Sequence, residues 1–416
     1  MGRSQLKFRI MIMQFLQFYI FGSWLLTIGA YWFQNMHWSG TTFGSIFSTM
    51  GISSIFMPAI AGIIADRWVN SEKLYAFLHF MGALVLFYIP QVGDPSLMFW
   101  VMLLNMIFYM PTLSLSFSIS YSIMKSANMD IVKEFPPVRV WGTVGFIAAL
   151  WTVSLCKLET TAGQFYVASV ASLLLSMYSL TMPKCPPLAK VRSNSLLSDL
   201  GLDAFALFKD SQMAIFFLFA MFLGAALQLT NAYGDTFLHD FAAIDAYKEL
   251  LSVKYPAIIM SISQISETLF ILAIPFFLKR FGIKTVMLLS MIAWTLRFGL
   301  FAYGNPAEGL WMIILSCIIY GMAFDFFNIS GSLFVESQVP AEMRASAQGL
   351  FMMMTNGVGA YLGSRISGLL IDKFFILGSG KFDWPGIWLS FAAYTMAVAV
   401  AFVVLFKRKR DMIMSL

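Results

Sequence analysis

The sequence predicts an all-α membrane protein, with twelve transmembrane helices arranged as two pseudo-symmetric six-helix bundles. The first observation is composition: the chain has 416 residues, of which 59% are hydrophobic and only 12% are charged. Soluble domains are about 45–50% apolar and roughly 25% charged. The second is a series of long apolar runs, and the third is an asymmetric distribution of Lys and Arg. The short alternating segments typical of a bacterial β-barrel are absent from the sequence.

Each apolar run has close to the ~17–25 residues that a helix needs to cross a bilayer. Some runs are longer than this, which leaves length for a tilted helix. Polar connections separate them. The predicted spans are 8–33, 41–64, 74–92, 97–122, 138–156, 164–183, 211–234, 253–278, 285–303, 310–334, 345–370 and 386–406.

The basic residues predict the orientation of these spans. Of the 27 Lys and Arg side chains, 20 fall in the loops on the side of the two termini and 5 in the opposite loops. Cytosolic loops carry such an excess, so we expect both termini on the cytoplasmic side of the membrane. The sole N-x-S/T match in the sequence, Asn328-Ile329-Ser330, lies inside a span where it cannot be glycosylated, which is consistent with a bacterial inner membrane. The net charge of +6 is scattered over short loops. It therefore reflects topology, and we expect no nucleic-acid partner.

A polar connection at 184–210 divides the predicted spans six and six. Weak internal similarity crosses it: GIIADRW follows span two, and LKRFGIK follows span eight. We therefore predict an N-terminal bundle at 1–183, a cytosolic linker at 184–210 and a C-terminal bundle at 211–416. Transporters built from two parallel halves bind solute near the midplane between them.

Two carboxylates lie deep in the predicted spans. Glu267 is near the middle of span eight, and Asp325 is a little past the middle of span ten. A carboxylate at this depth costs about 2.5 kcal/mol or more, so such groups usually serve a solute or proton path. By the span assignment they are the only deep acids. A structural ion pair between Asp325 and Arg297 of span nine is an alternative to proton carriage.

Other polar and aromatic side chains recur three or four residues apart in the spans, which places them on one helix face. Amides and aromatic rings suit a flat solute with hydroxyl groups, although intramembrane amides also bond to neighbouring helices for about 0.6 kcal/mol. Aromatic pairs are more often packing than stacking. The sets are Gln228 with Asn231, Gln264 with Glu267, Tyr320 with Phe324, and Arg139 with Thr143 and Phe146.

The GIIADRW segment, with Gly62, Asp66 and Arg67, resembles the cytosolic turn of the major facilitator superfamily. The resemblance implies the major facilitator fold and gives these residues the role of a conformational latch. Longer segments resemble the nucleoside:proton symporter family, the bacterial nucleoside and xanthosine permeases. These segments are FPPVRVWGTVGF (135–146), LGLDAFALFK (200–209), MSISQISETLFIL (260–272), AFDFFNISGSLFVE (323–336) and RASAQGLFMMMTNG (344–357).

The family resemblance implies proton-coupled nucleoside import by alternating access. It also implies substrate binding by the nine residues Arg139, Thr143, Phe146, Gln228, Asn231, Gln264, Glu267, Tyr320 and Phe324. Hydropathy places Arg139 at the cytosolic mouth of span five, whereas the resemblance implies that it reaches the cavity. Both placements hold if that helix begins before Pro136 and the cavity opens inward. Glu267 and Asp325 are the candidates for proton coupling, with the choice between them open. Since a partly dry cavity disfavours a charged carboxylate, Glu267 is suited to binding a proton.

Two other functions remain as alternatives. One is a proton-linked sugar symporter of the same superfamily, which also needs aromatics, amides and a carboxylate. The other is a lipid-modifying membrane enzyme, which needs a metal-binding or nucleophilic motif near an interface, and no DxxxD, HExxH or GxSxG lies there. We expect a monomer in the lipid bilayer that is not an enzyme, with no cofactor and no metal.

The histidines and cysteines carry no motif. His37 and His239 are expected in solvated outer loops, and His79 in a packing role in span three. Cys156, Cys185 and Cys317 lack metal or disulfide spacing and are expected to be inert.

Overall fold

The computed structural model describes residues 2–187, 202–340, 343–378 and 381–406. Residues 188–201 of the predicted linker lie outside the described residues. Within these ranges the chain is folded into helices, and nine of them are long and apolar enough to cross a membrane. The prediction of an all-α membrane protein is therefore confirmed. The longest helices of the described chain are α1 (Arg3–Gly22), α2 (Gly40–Phe47), α3 (Thr49–Arg67), α4 (Ser71–Tyr88), α5 (Pro95–Ser126), α6 (Ile131–Leu155), α7 (Gly163–Leu180), α8 (Ser211–Asp240), α9 (Pro256–Tyr303), α10 (Leu310–Gln338), α11 (Arg344–Met352), α12 (Ala360–Phe374) and α13 (Trp384–Leu405).

The count of twelve spans stays a prediction, because several helices do not match one span each. Helix α9 has 48 residues and contains two predicted spans, separated where Gly282 takes a left-handed conformation (φ 73°). That backbone suits glycine, which lacks a Cβ. The eleventh predicted span is interrupted by a π-helical segment at Met353–Gly359, and the first ends in one at Tyr31–Asn35. Such π-helical turns often occur at functional sites.

Small residues let helices pack at backbone distance. A Cβ added to Gly145 of α6 would lie 2.1 Å from the carbonyl oxygen of Phe15 on α1. Between the two halves, a Cβ on Gly44 of α2 would lie 2.2 Å from the carbonyl oxygen of Ser364 on α12. Helices in membranes associate through such close contacts, because lipid provides no hydrophobic drive between them.

The two halves are joined at the end of the helices that is remote from the N-terminus. The Asp372 carboxylate of α12 accepts hydrogen bonds from the backbone N–H groups of Gly40 and Thr41, both at 2.7 Å. These groups lie at the N-terminus of α2, where orphan N–H groups and the helix dipole favour a carboxylate. Trp151 Nε1 of α6 donates to Ser261 Oγ of α9 at 3.0 Å. In this conformation, the remote end is therefore held together by bonds between the halves.

Candidate functional site

Arg139 projects from the first half of the chain near its contact with the second. Helix α6 begins at Ile131 and runs through Pro136 and Pro137, so Arg139 lies within the helix rather than ahead of it. Its guanidinium lies 4.1 Å from the ring centre of Phe18 and 5.5 Å from that of Phe117. Such cation–π contacts orient the group while leaving its N–H donors available. The helix start before Pro136 thus reconciles a position near the mouth with a reach into the interior.

Glu267 lies on α9 of the second half, close enough to Arg139 for their charges to influence each other, although the two side chains form no direct ion pair. The carboxylate-bearing residue is half-buried, as is Gln264 one turn earlier. Helix α10 packs tightly here, because a Cβ on Gly321 would lie 2.6 Å from the Ser266 carbonyl oxygen. A carboxyl group and a guanidinium from opposite halves therefore lie near each other without a direct ion pair.

Helix α10 contributes an aromatic wall and a second acid. Tyr320 and Phe324 stack with their ring centres 5.9 Å apart and their planes at 9°, and Gln264 lies beside the Tyr320 hydroxyl. Asp325 is only 3% exposed, and its Oδ2 atom has no hydrogen-bond partner among the described residues. The charges of Asp325 and Glu267 interact. The site therefore contains two carboxyl groups whose charges influence each other, the buried one of Asp325 and the half-buried one of Glu267.

The remaining predicted residues lie around this centre with different environments. Gln228 is buried on α8, and its Oε1 atom has no hydrogen-bond partner in the part of the chain that the structure describes. The Oε1 atom of Gln228 therefore does not support the alternative in which this amide only bonds to a neighbouring helix. Asn231 and Thr143 are half-buried. Phe146 is buried against Phe21 of α1, with ring centres 6.4 Å apart. Its observed contact is helix packing.

A cavity in the second half extends from Phe324, and its polar lining was not predicted. Asn328, Thr355 and Asn356 line it. Asn328 follows Phe324 by one helical turn, so spacing could have identified it. Thr355 and Asn356 belong to the π-helical segment, whose position the sequence did not reveal. The other lining residues are Leu223, Gly224, Leu227, Trp294, Ala323, Phe327 and Met352.

Arg297 does not pair with Asp325, so the structural ion pair considered from the sequence is wrong. The guanidinium of Arg297 donates to the Ser316 carbonyl oxygen at 2.6 Å and to Thr230 Oγ1 at 3.3 Å. It also lies 4.8 Å from the ring centre of Tyr320. Because α9 turns this cation toward neutral acceptors, Asp325 is left without it.

His79 has the packing role that was predicted. Its Nε2 lies 2.9 Å from Gln17 Oε1, and its Nδ1 lies 3.2 Å from Ser172 Oγ. Gln17 also accepts from the Tyr75 hydroxyl and donates to Thr112 Oγ1. This network ties α1, α4, α5 and α7 together within the first half.

One expectation about the remote end is wrong. His239 is not in a solvated loop, because α8 continues to Asp240, and the His239 side chain is only 11% exposed. Asp235, one residue past the predicted end of span seven, is also buried, at 1% exposure. Hydropathy ended the span at residue 234 because polar residues follow, whereas the contact between halves buries them.

Gly62, Asp66 and Arg67 occupy the end of α3, where Asp66 and Arg67 are exposed and the space beside Gly62 is open. The latch assigned to them remains a prediction.

The chain was compared with known proteins. A family described as "Nucleoside H+ symporter" matches residues 4–411. Xanthosine permease of Escherichia coli (strain K12) is 56% identical over 404 residues, which cover 97% of this chain and 96% of that protein. Nucleoside permease NupG of the same organism is 50% identical over 405 residues, or 97% and 96% of the two chains. A crystal structure of nucleoside transporter NupG superposes with a TM-score of 0.90 at 51% identity, covering 97% of this chain and 100% of that one.

Proposed function

Because this chain belongs to the nucleoside H+ symporter family, we propose that it imports nucleosides together with protons by alternating access. One feature supports the proposal beyond membership: Arg139 of the first half and Glu267 of the second lie close enough for their charges to influence each other. A solute that bonds to both side chains contacts both halves of the protein at once. Its binding can therefore bias their relative orientation, which is what coupled transport requires.

We assign the nucleoside to the region between these two groups. The ribose hydroxyls are suited to Arg139 and Glu267, and the amides of Gln228, Asn231 and Gln264 suit the edge of the base. Tyr320 and Phe324 supply a flat aromatic surface. A neutral, planar solute fits such a mostly apolar site, in which a few polar groups fix its orientation. In the first half, Thr143 supplies a further polar group, and Phe146 forms an apolar boundary of the site.

Glu267 is the proposed proton carrier, and Asp325 is its partner in coupling. A proton on Glu267 cancels the attraction to Arg139, which frees the guanidinium for the solute. The nearby charge of Asp325 supports this role, because two carboxylates in a poorly hydrated site favour holding a proton between them. Proton and solute load from outside, and the occupied carrier reorients and releases both inward. One proton gains about 2.3 kcal/mol per 100 mV, enough for roughly fiftyfold accumulation.

The topology completes the proposal. The distribution of basic residues supports both termini on the cytoplasmic side of the membrane, which we take to be a bacterial inner membrane. The bonded end of the helices then faces outward, so this conformation faces the cytoplasm. We retain the bundles at 1–183 and 211–416, the linker at 184–210, a monomer, and the latch at Asp66 and Arg67. The sugar-symporter alternative has no support from the family match.

The test uses Glu267→Gln in proteoliposomes, with Glu308→Gln as the matched control because Glu308 is exposed in a loop. We expect Glu267→Gln to lose pH-driven nucleoside accumulation, whereas the control retains it. Xanthosine, uridine and adenosine are compared as substrates, with free sugars as competitors. Asp325→Asn is measured in parallel to distinguish the roles of the two acids in proton coupling. If this variant retains accumulation, coupling is assigned to Glu267 alone. Unchanged accumulation by Glu267→Gln would refute its assignment, and competition by sugars alone would refute the substrate class.

A further inference from the structure

Glu159, Asp235 and His239 form a buried cluster at the remote end, away from the proposed nucleoside site. His239 Nε2 lies 2.9 Å from Glu159 Oε2 and 3.4 Å from Asp235 Oδ2. One possible ligand atom from each residue lies within 4.8 Å of the other two. The side chains of Glu159 and Asp235 are 4% and 0% exposed. A compact set of two carboxylates and an imidazole is thus shielded from solvent.

The cluster is assembled from both halves of the chain. Glu159 lies in the connection between α6 and α7, in the first half. Asp235 and His239 are four residues apart on α8, in the second half, so they share one helix face. The Ala257 N–H donates to Glu159 Oε1 at 3.1 Å and fixes the carboxylate. A group bound here would therefore hold the halves together.

The cluster contains a buried carboxylate oxygen that has no partner. His239 Nε2 lies within ion-pair distance of Glu159 Oε2 and Asp235 Oδ2, whereas Asp235 Oδ1 is a buried atom without a hydrogen-bond partner in the described chain. A buried carboxylate is costly unless it is paired and hydrogen-bonded, or bound to a metal. The neighbouring Asp240 differs, because Trp384 Nε1 and Gln34 Nε2 donate to it. Its hydrogen bonds are satisfied, and its charge adds to the negative field.

We propose that Glu159, Asp235 and His239 bind a divalent transition-metal ion of the Zn²⁺ type, which clasps the two halves in this conformation. Zn²⁺ takes imidazole nitrogen and carboxylate oxygen in four-coordinate sites, and three such protein ligands leave one position for water. Mg²⁺ and Ca²⁺ prefer oxygen ligands alone, and in larger numbers. Because the ligands must separate when the remote end opens, the bound ion inhibits transport. The site is independent of the nucleoside that is carried.

Binding is measured by titrating Zn²⁺ into purified protein that carries a histidine-free affinity tag. We expect about one Zn²⁺ per chain and a rise in melting temperature, because an ion that binds only the folded state stabilises it. His239→Asn should weaken binding about tenfold or more, since the loss of even an outer-shell group costs 10–100-fold. His37→Asn is the matched control, because His37 is an exposed histidine whose positive φ of 54° asparagine tolerates.

Glu159→Gln provides a second variant, in case His239→Asn does not fold. External Zn²⁺ should slow exchange of nucleoside by the wild type and by His37→Asn, and have a smaller effect on the cluster variants. Equal Zn²⁺ affinity in the wild type and both cluster variants would overturn the site. Equal affinity for Mg²⁺ would overturn the proposed metal class. Zn²⁺ that binds at the cluster without slowing exchange would overturn the clasp. Failure of these tests leaves the proposed nucleoside transport unaffected.

Discussion

The contact between Gly44 of α2 and Ser364 of α12 provides the sharpest test of the conformational mechanism. A Cβ on Gly44 would lie 2.2 Å from the Ser364 carbonyl oxygen, whereas ordinary contact begins at 3.4 Å. The obstacle is backbone, so it cannot be relieved by a rotamer change. Gly44→Ala must therefore displace the two helices by about 1 Å, and overpacking of this kind costs about 1–3 kcal/mol.

This cost falls on the conformation in which α2 and α12 touch. If the other conformation separates them, the equilibrium between the two shifts by the same free energy, about 5- to 150-fold. Gly299→Ala is the matched control, because Gly299 is also helical and nothing lies within 4 Å of its added Cβ. Both substitutions gain similar helix propensity, about 0.8–1.0 kcal/mol. The difference between the variants therefore measures the contact.

The assay measures distances between spin labels at Thr41 and Lys373, which are exposed residues on either side of the contact. Cys156 is replaced by serine in this background, because it is exposed and would also be labelled. We expect Gly44→Ala to enrich the longer distance at the remote end, and Gly299→Ala to leave the wild-type distribution. A folded Gly44→Ala protein with an unchanged distribution would refute the idea that this contact separates during transport.

Two further predictions concern stability and reactivity. Arg297→Met should lower the free energy of unfolding by about 2–4 kcal/mol, because Ser316 and Thr230 lose the donor that they bond and unsatisfied buried groups cost about 1–3 kcal/mol each. A melting temperature equal to that of the wild type would contradict this. Burial raises the pKa of the Cys185 thiol, so less of it is thiolate at pH 8, and its alkylation should be about tenfold slower than that of exposed Cys156. Rates quantified by mass spectrometry should converge only when the protein is unfolded.

The sequence was most informative about depth along the membrane normal. Apolar runs and basic loops are properties of one chain read in order, so they predicted the helices and their orientation. The same reading found Glu267 and Asp325, because a charge in a long apolar run is conspicuous. It was less reliable at span ends. There, Asp235 and His239 looked like the start of a polar loop, although contact between halves buries them.

Spacing predicted which side chains share a helix face, and it was sufficient to group Tyr320 with Phe324. It could not say which faces meet, because the rotation of a helix depends on the surfaces of its neighbours. Arg297 and Asp325 illustrate this limit: their depths are similar, yet packing turns Arg297 toward Ser316. The cavity residues Thr355 and Asn356 were missed for a related reason, since a π-helical turn changes the face that a residue presents.

The amino-acid order by itself determined that this chain crosses the bilayer repeatedly and carries two acids, Glu267 and Asp325, within long apolar segments. Composition and periodicity are sufficient to predict the spans, because each segment that crosses the bilayer must be long and predominantly apolar. Only the folded arrangement decided that Arg139 lies near Glu267 of the opposite half, and that Glu159 joins Asp235 and His239. The residues in each of these groups are about a hundred positions apart in the chain. Their proximity depends on how closely the helices pack at their glycine residues.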